Sequence, residues 1–191
     1  MRPAPSLPLL IAALLIGCGD DPVPKPKGWP RIDLPPVAYA EQAEAAFTAE
    51  RPAYASLVER PRQDSARWYD LRFTGQRATV HLTYSPVRGD LPALIEDAHD
   101  FKRKHEAKAV RIRSERVLRH DERVFGTLFD VEGDVASPFV FYLTDSAQHF
   151  LYGALYFDAR PNADSLAPVT ERLRADMRHF AATLRWAPAG P

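Results

Sequence analysis

The sequence is poor in the features that mark several large classes of protein. Its 191 residues include a single cysteine, so no disulfide bond can form within the chain. The 25 Lys and Arg residues are balanced by 25 Asp and Glu residues, and a net charge of zero gives no general attraction to nucleic acid. The longest apolar run covers residues 7–16, whereas a membrane-spanning helix needs roughly 20 apolar residues. We therefore expect neither a disulfide scaffold nor a spanning helix. The net charge by itself argues neither for nor against nucleic acid, and the N-terminal export signal is the reason that we expect no nucleic-acid partner.

Sequence signatures of catalysis and metal binding are also missing. The chain has no G-x-S-x-G or H-E-x-x-H motif, and neither Ser137 nor Ser146 has a candidate general base at a spacing that would indicate a catalytic pair. His99 and His105 are six residues apart on one predicted helix, which places them on roughly opposite faces, where they cannot share a metal ion. We therefore expect no enzyme activity and no bound cofactor or metal.

The N-terminal residues have the pattern of a bacterial export signal. Arg2 supplies a positive charge, and the apolar run at 7–16 has the length of a signal-peptide hydrophobic region. Residues 15–18, Leu-Ile-Gly-Cys, resemble the lipobox of bacterial lipoproteins, in which the precursor is cut before the cysteine and the sulfur carries diacylglycerol. The resemblance implies a signal peptide over residues 1–17 and acyl chains, such as palmitate, on Cys18. The alternative is an ordinary secretory peptide with a chance cysteine.

The segment after the signal peptide is predicted to be a tether over residues 18–37. Six prolines crowd the stretch at 19–36, where they remove backbone donors and disfavour both helix and sheet. A polyproline-like chain of this length extends up to ~55 Å, at about 3.1 Å per residue. Loss of Arg2 leaves 24 basic residues against 25 acidic ones, a net charge of −1. The rest of the chain, residues 38–191, has the length of a single domain.

A β-hairpin is predicted over residues 68–84. Strands at 68–74 and 77–84 flank Gly75 and Gln76, and a two-residue loop that opens with glycine suits a type II′ turn. Pairing outward from this turn sorts apolar and polar residues onto the two faces, which supports a single register. The predicted pairs are Phe73–Ala78, Leu71–Val80 and Tyr69–Leu82 on the apolar face, with Arg72–Thr79 and Asp70–His81 on the polar face.

Three helices are predicted. Residues 38–49 are rich in Ala and Glu, which indicates a short helix. Asp90 has the character of an N-cap for a second helix that runs to about residue 107. Asp164 or Ser165 caps a long C-terminal helix with apolar residues at a 3.6-residue period. Its apolar positions are Leu166, Val169, Leu173, Met177, Phe180 and Leu184, and its predicted solvent side carries Arg172, Arg174, Asp176 and Arg178.

Four further strands are predicted between the second and third helices, and the turn residues between them favour an antiparallel meander. The strands from 123 to 158 carry apolar residues on both faces, so the sheet needs cover on both sides. The predicted fold is therefore α+β, a mostly antiparallel sheet of about six strands covered by helices on both faces in an α/β/α sandwich. The order of elements resembles the Mog1/PsbP-like folds. The four strands cover residues 110–118, 123–132, 138–144 and 149–158.

Two surface regions are candidate sites for a partner. The stripe at 102–123 holds nine Lys and Arg residues against four acidic ones, and such a stripe can attract an acidic partner or anionic lipid. The loops at 132–137 and 158–164 follow predicted strands, which indicates a shared binding surface at one rim of the sheet. The alternatives are a solvated stripe, and turn chemistry in the loops with Arg160 paired to a nearby aspartate. The candidate partner-binding residues are Arg111, Arg113, Arg116, Arg160 and Asn162.

Long stretches of the sequence resemble the gliding motility lipoprotein GldD family. The most extensive match covers residues 125–186, from FGTLFDVEGDVASPFVFYLTDS through GALYFDARPNADSLAPV to the end of the last helix. Cys18 also occupies the family's lipobox position. Residues 47–63 depart from the family and lack a cysteine that its members have there. Shorter matches are KPKG at 25–28, RIDLP at 31–35, LTYSPV at 82–87 and LIEDAHDFKRKHEAKA at 94–109.

The resemblance implies a role in bacterial gliding motility and in the linked type IX secretion system. The family consists of lipid-anchored, non-enzymatic accessory proteins, so the expected partners are the membrane and other gliding or secretion proteins of the envelope. The expected location is the cell envelope, with the membrane-anchored domain facing the periplasm. The alternative function is an envelope lipoprotein that binds a small ligand or peptidoglycan through a pocket at the rim of its sheet. A flat surface with exposed aromatic and arginine side chains favours the first function, and a deep polar pocket favours the second.

Overall fold

The computed structural model describes residues 33–61, 66–106 and 109–188, with the backbone alone described for residues 101–106. This part of the chain forms ten β-strands in two antiparallel sheets and two α-helices. The fold is therefore rich in β-structure, with more strands than the six predicted. The elements are β1 (Tyr39–Ala43), β2 (Phe47–Pro52), β3 (Ser56–Glu59), β4 (Arg67–Phe73), β5 (Ala78–Pro86), α1 (Leu91–Glu106), β6 (Arg111–Arg119), β7 (Val124–Glu132), β8 (Phe139–Thr144), β9 (His149–Phe157), α2 (Ala163–Thr183) and β10 (Arg185–Trp186).

The larger sheet has seven strands in the order β3-β4-β5-β9-β8-β7-β6. Strands β6 to β9 form the predicted antiparallel meander, and each begins and ends within one residue of its predicted bounds. The hairpin joins the meander through a long antiparallel pairing of β5 with β9, which runs from Ala78–Phe157 to Pro86–His149. One edge of the large sheet is therefore β3 and the other is β6.

The β4–β5 hairpin has the predicted register, and all five predicted pairs are present. The predicted two-residue turn is wrong, because a four-residue loop from Thr74 to Arg77 closes the hairpin. This loop makes a 3₁₀ turn and ends with Arg77 in the left-handed conformation, at φ +49°. The loop gains one residue from the end of each predicted strand. The pairing of the remaining residues is therefore unchanged, and each side chain stays on its predicted face.

The segment at residues 38–49 belongs to a second sheet, and the predicted helix there is wrong. β1 and β10 pair antiparallel with the two sides of β2. Phe47 is fully buried, and its ring meets the rings of Tyr69 and Phe180 edge-on at centroid distances of 5.9 and 6.0 Å. Tertiary pairing and burial of this ring override the helix-forming composition of the segment, which is a weak preference by comparison.

The second sheet and α2 enclose the main core against one face of the large sheet. The apolar stripe of α2 is buried as predicted from Val169 onward, whereas Leu166 in the first turns is half-buried. The helix begins earlier than predicted, because Asn162 Oδ1 accepts the Ser165 N–H at 3.0 Å, so Asn162 is the N-cap in place of Asp164 or Ser165. The α2 residues buried in this core are Val169, Leu173, Met177, Phe180 and Ala181, and they meet Phe139, Phe141, Leu143, Leu151 and Leu155 of the sheet.

The opposite face of the large sheet carries a smaller apolar cluster of Phe129, Val140 and Ala154. α1 packs here against β8 and β9, with Ala98 buried and the His99 ring 5.5 Å from the Phe129 ring. The sheet is therefore apolar on both faces, as predicted. An α/β/α sandwich is not established, because α2 shares its side with the second sheet and α1 covers part of the other side. The likeness to the Mog1/PsbP-like folds stays a prediction.

Candidate interaction surfaces

The predicted lipidation site, Cys18, lies outside the described residues, and so does most of the predicted tether at 18–37. The modification of Cys18 therefore stays a prediction. Within the described ranges, no helix is both long enough and apolar enough to cross a membrane.

Three of the predicted partner-binding residues, Arg111, Arg113 and Arg116, lie on β6 at one edge of the large sheet. Within the described part of the chain, β6 pairs with β7 and no strand pairs with its outer side. An open edge of this kind can pair with another chain, and charged side chains are a common means of limiting such pairing. Val110 and Leu118, near the two ends of the strand, are 84% and 53% exposed.

The arginines of β6 do not form one stripe. Strand alternation places Arg111 and Arg113 on the side of the sheet that faces α2, and Arg116 on the side that faces α1. Arg113 pairs with Glu132 at 2.5 Å, and Arg119 donates to two backbone carbonyls at the C-terminal end of α2. Arg111 and Arg116 are exposed and form no ion pair with any described residue. Two arginines on opposite sides of the edge are therefore accessible to a partner.

The two loops predicted to form a rim surface do lie next to each other. The first N–H of α2 donates to Asp134 Oδ1 in the β7–β8 loop at 2.8 Å. Asn162 uses its side-chain oxygen to cap α2, and Asp158 pairs with Arg77 at 2.9 Å. Of the two predicted rim residues, Asn162 therefore serves the fold, whereas Arg160 is exposed.

A cavity of about 180 Å³ opens between the β7–β8 loop and the first turns of α2. Its arginine is already engaged: Arg174 donates to the carbonyl oxygens of Val131 and Pro138 at 3.0 Å each, and pairs with Glu171 at 2.7 Å. Ligand pockets are typically about 300–1,000 Å³ and present a few convergent polar groups. The rim cavity is smaller than such pockets, and its polar groups stabilise the loop.

Four charged residues of α2 were predicted on its solvent side, and this is wrong for Arg174 and Asp176, which are 7% and 0% exposed. Positions two apart in a helix lie about 200° apart around its axis. Arg172 and Asp176 therefore flank the apolar stripe on one side, and Arg174 and Arg178 flank it on the other. This alternation is the sequence signal that places these charges beside the core.

On the flank that faces β7, Arg174 and Arg178 converge on Asp130. Arg174 Nε lies 3.3 Å from one carboxylate oxygen, and Arg178 forms a short ion pair with the other. Arg178 also pairs with Glu115 of β6 at 3.0 Å, and its guanidinium lies 5.6 Å from the centre of the Phe139 ring. Burial opposes the charged form, but the hydrogen bonds to the two carboxylates outweigh it and raise the pKa of Arg178. The cluster ties α2 to β7 and to the edge strand.

On the other flank, the buried carboxylate of Asp176 is the centre of a hydrogen-bond network. It accepts from the Tyr39 hydroxyl at 3.0 Å and from the Tyr54 hydroxyl, and it pairs with Arg172 at 3.1 Å. Burial, together with the hydrogen bonds to this carboxylate, raises the pKa of both tyrosines, so both phenols stay protonated. The network joins α2 to β1 and to the turn after β2.

The same arginine holds the last residues of the predicted tether. Arg172 donates to the carbonyl oxygens of Pro35 and Pro36 at 3.0 and 3.3 Å. Leu34 packs against the main core just before these prolines. The chain is therefore fixed to α2 several residues before β1 begins.

A third charged cluster lies over β4 and β5, on the side of the sheet that carries α1. Asp70, 8% exposed, accepts from Arg72 at 3.1 Å and lies 2.8 Å from His81 Nδ1, with Arg60 3.9 Å away. Burial opposes ionisation, but the hydrogen bonds from His81 and Arg72 outweigh it and lower the pKa of Asp70. The sequence predicted the Asp70–His81 pair, but not the arginines around it.

The histidines are dispersed over the fold. His149 is buried, lies 2.9 Å from the Tyr84 hydroxyl and stacks on Trp186 at 5.1 Å. His179 lies 2.5 Å from a carboxylate oxygen of Glu50. In the described ranges, no three His, Cys, Asp or Glu side chains are placed to hold a metal ion together.

The family model described as gliding motility lipoprotein GldD matches residues 19–186, which include the predicted tether after Cys18 and nearly all of the described domain. No curated protein shows a significant match to the chain.

Proposed function

The chain belongs to the gliding motility lipoprotein GldD family, and on that premise we propose that it is a lipid-anchored, non-enzymatic accessory component of a bacterial gliding motility assembly and of the linked type IX secretion system. The family match supports this role, because it extends from the residue after Cys18 through the whole of α2 and β10. The dispersion of the described histidines and the structural use of the buried charges on α2 support a role in assembly.

The proposal places the protein on a membrane of the cell envelope with its domain in the periplasm. The lipobox at residues 15–18 supports the anchor, since a lipidated cysteine carries two or three acyl chains and at least two are needed for stable attachment. We also propose that the fold is an α/β/α sandwich of the Mog1/PsbP kind, which the positions of α1 and α2 on opposite faces of the large sheet support.

The observation that carries the proposal is the outer edge of β6. This nine-residue strand is open along its outer side in the described part of the chain, and it carries exposed Arg111 and Arg116. Glu115 and Arg119 fix this strand to α2, and Arg113 pairs with Glu132 of β7, so the edge is presented as a stiff surface. An extended, acidic segment of a partner protein fits this edge by strand addition and by charge.

The alternative function, a pocket for a small ligand or peptidoglycan at the rim of the sheet, has less support. The rim cavity is about 180 Å³, and the side chains of Asp134, Asn162 and Arg174 around it already bond to the fold. Exposed Arg160 is the rim residue that remains accessible to a partner.

The test is partner capture from detergent-solubilised cells with a variant in which Arg111 and Arg116 are both changed to Glu. Like charges at an interface cost several kcal/mol, so we expect the variant to lose envelope proteins that the wild-type chain retains. The thermal melting temperature should change by a few degrees at most, because both side chains are exposed and make no ion pair with a described residue.

The matched control changes Arg88 and Arg160, which are also exposed, to Glu and so alters the net charge by the same amount. This control should retain the partners. Loss of partners in the control alone would move the interface to the rim around Arg160 or to the opposite end of the sheet around Arg88, and retention in both variants would rule out the β6 edge.

A further inference from the structure

The face of the large sheet that carries α1 continues beyond that helix over β5 and β4. A shallow cavity of about 230 Å³ lies there, and its lining includes Arg60, Trp68, His81 and Thr83. A second cavity, of about 270 Å³, continues from Thr83 past Ser85 to the side of α1. Thr83 lines both cavities, so the two adjoin along β5, and together they are here called the β5 groove.

The floor of the β5 groove is a row of hydrogen-bonding side chains. Strand alternation turns Thr79, His81, Thr83 and Ser85 toward this face, about 7 Å apart along the strand. The neighbouring strands β8 and β9 carry apolar residues on the same face, where α1 covers them. The polar row therefore marks the part of the face that is exposed to water or to a ligand.

Aromatic rings lie on both sides of the polar row. Trp68 of β4 and Tyr152 of β9 are the two cross-strand partners of Thr83. The Tyr156 ring lies 5.5 Å from the ring of His81. Burial raises the pKa of both tyrosines, so their phenols stay neutral. All three aromatic side chains are half-buried and can present ring surface to a ligand.

The end of the groove over β4 is rich in hydrogen-bond donors. The side chains of Arg60, Arg72 and His81 surround Asp70 and are 49%, 50% and 45% exposed. Each guanidinium has five N–H donors, and the single carboxylate leaves most of them directed to solvent. Since two guanidinium groups face one carboxylate, the cluster has an excess of positive charge.

We propose that the β5 groove binds a glycan whose sugar rings carry carboxylate groups. The apolar C–H faces of sugar rings pack against Trp68 and Tyr152, and the polar row bonds to sugar hydroxyls. A guanidinium such as that of Arg60, which lines the groove, binds a carboxylate with two parallel hydrogen bonds. A single-stranded nucleic acid also uses aromatic and arginine side chains, but it needs a basic channel along its phosphates. Among the described lining residues of the two cavities, Arg60 is the single guanidinium, so the groove has no basic channel along its length, which favours the glycan.

This site is separate from the proposed protein interface. In the sheet order, β4 and β5 lie toward the β3 edge, whereas β6 is the opposite edge. Glycan binding therefore goes beyond the motility role, and the two proposals can fail independently.

The test is equilibrium binding of soluble sugars to the full-length chain held in detergent micelles. The disaccharide N-acetylglucosaminyl-N-acetylmuramic acid carries a lactyl carboxylate, hyaluronan tetrasaccharide carries uronic acid carboxylates, and chitotetraose is neutral. We expect at least one acidic sugar to bind about tenfold or more tightly than chitotetraose, the effect of one charge-assisted hydrogen bond. The acidic sugar that binds identifies the source of the carboxylate. Binding of neither acidic sugar, or tighter binding of oligo-dT than of any sugar, overturns the proposal.

Variants locate the site. Trp68→Ala should weaken binding of the best acidic sugar about tenfold or more, and Arg60→Gln should remove the preference for acidic over neutral sugar. The matched control is Arg185→Gln, an exposed arginine on β10 of the second sheet, which should bind like the wild-type chain. If Trp68→Ala lowers the melting temperature, exposed Arg60→Gln decides the question. Equal effects of the two arginine variants would overturn the assignment to the groove.

Discussion

Arg174→Met is expected to lower the free energy of unfolding by about 3–5 kcal/mol, the usual cost of breaking a buried ion pair by removing one partner. The substitution keeps much of the length of the side chain and its apolar stem. It removes a guanidinium that is 7% exposed and donates to the carbonyl oxygens of Val131 and Pro138 at 3.0 Å each. It also removes one of two cations beside Asp130, at 3.3 Å.

These contacts do not contribute equally. Hydrogen bonds from a charged donor to a buried acceptor contribute ~1.5–3 kcal/mol each. The Pro138 carbonyl keeps a second donor, the Val131 N–H at 2.9 Å, and Asp130 keeps Arg178, so neither is left without a partner. The pair with Glu171 involves a carboxylate that is 70% exposed and therefore contributes little. Most of the expected loss comes from the Val131 carbonyl and from the weaker neutralisation of Asp130.

The assay is equilibrium unfolding in urea, followed by far-ultraviolet circular dichroism at neutral pH. The matched control is Arg160→Met, an exposed arginine, which should stay within about 0.5 kcal/mol of the wild-type chain. Adding Asp130→Asn to Arg174→Met should cost less than the sum of the single changes, because the two residues are coupled. A loss below about 1 kcal/mol for Arg174→Met would refute the reasoning and would mean that this flank of α2 is solvated.

Three further predictions concern the core, the pH dependence and the anchor. Phe180→Ala, in the middle of the α2 stripe, should lower the free energy of unfolding by about 3–5 kcal/mol in the same urea assay. Leu118→Ala, at an exposed position, should lower it by about 0.5 kcal/mol or less, and equal losses would contradict the assigned core. Burial lowers the pKa of His149, so below about pH 6.5 the unfolded chain binds a proton that the folded chain does not. The free energy of unfolding should therefore fall as the pH drops below about 6.5, by up to about 1.4 kcal/mol per pH unit, until the pKa of the folded state is reached. Between pH 7.5 and 5.5, the free energy of unfolding measured in urea should fall less in His149→Gln than in the wild-type chain. Equal decreases in the two proteins would exclude this histidine as the cause. Cys18→Ser should leave an uncleaved or mislocalised precursor without acyl chains, and a variant with wild-type mass in the detergent phase would exclude the anchor.

The parts of the fold that the sequence predicted are those with a local signal. The β4–β5 register follows from the alternation of apolar and polar residues, so it survived an error in the turn between Phe73 and Ala78. The strands of the meander were predicted from another local signal, the short spacings and turn residues between them. In contrast, β1 and β2 were missed because an Ala- and Glu-rich composition favours helix, while long-range pairing with β10 and burial of Phe47 decide the structure.

The candidate sites divide in the same way. Arg116 lies on the opposite face of β6 from Arg111 and Arg113 simply because side chains alternate along a strand. The approach of the two rim loops was predicted from their positions at strand ends. The β5 groove has no local signal, because it depends on the pairing of β5 with β9, about 70 residues later in the chain, which brings Tyr152 beside Thr83. Composition and spacing along one strand cannot show which strand becomes its neighbour.

The bonds from Arg172 to the carbonyls of Pro35 and Pro36 determine how mechanical force enters the domain. A pull on the chain from its N-terminal side meets this attachment before it reaches β1. The load then passes through the Arg172–Asp176 pair into α2, a 21-residue helix that is packed along the core. Peeling β1 away one residue at a time is avoided, because the helix and the strands beneath it resist the force together.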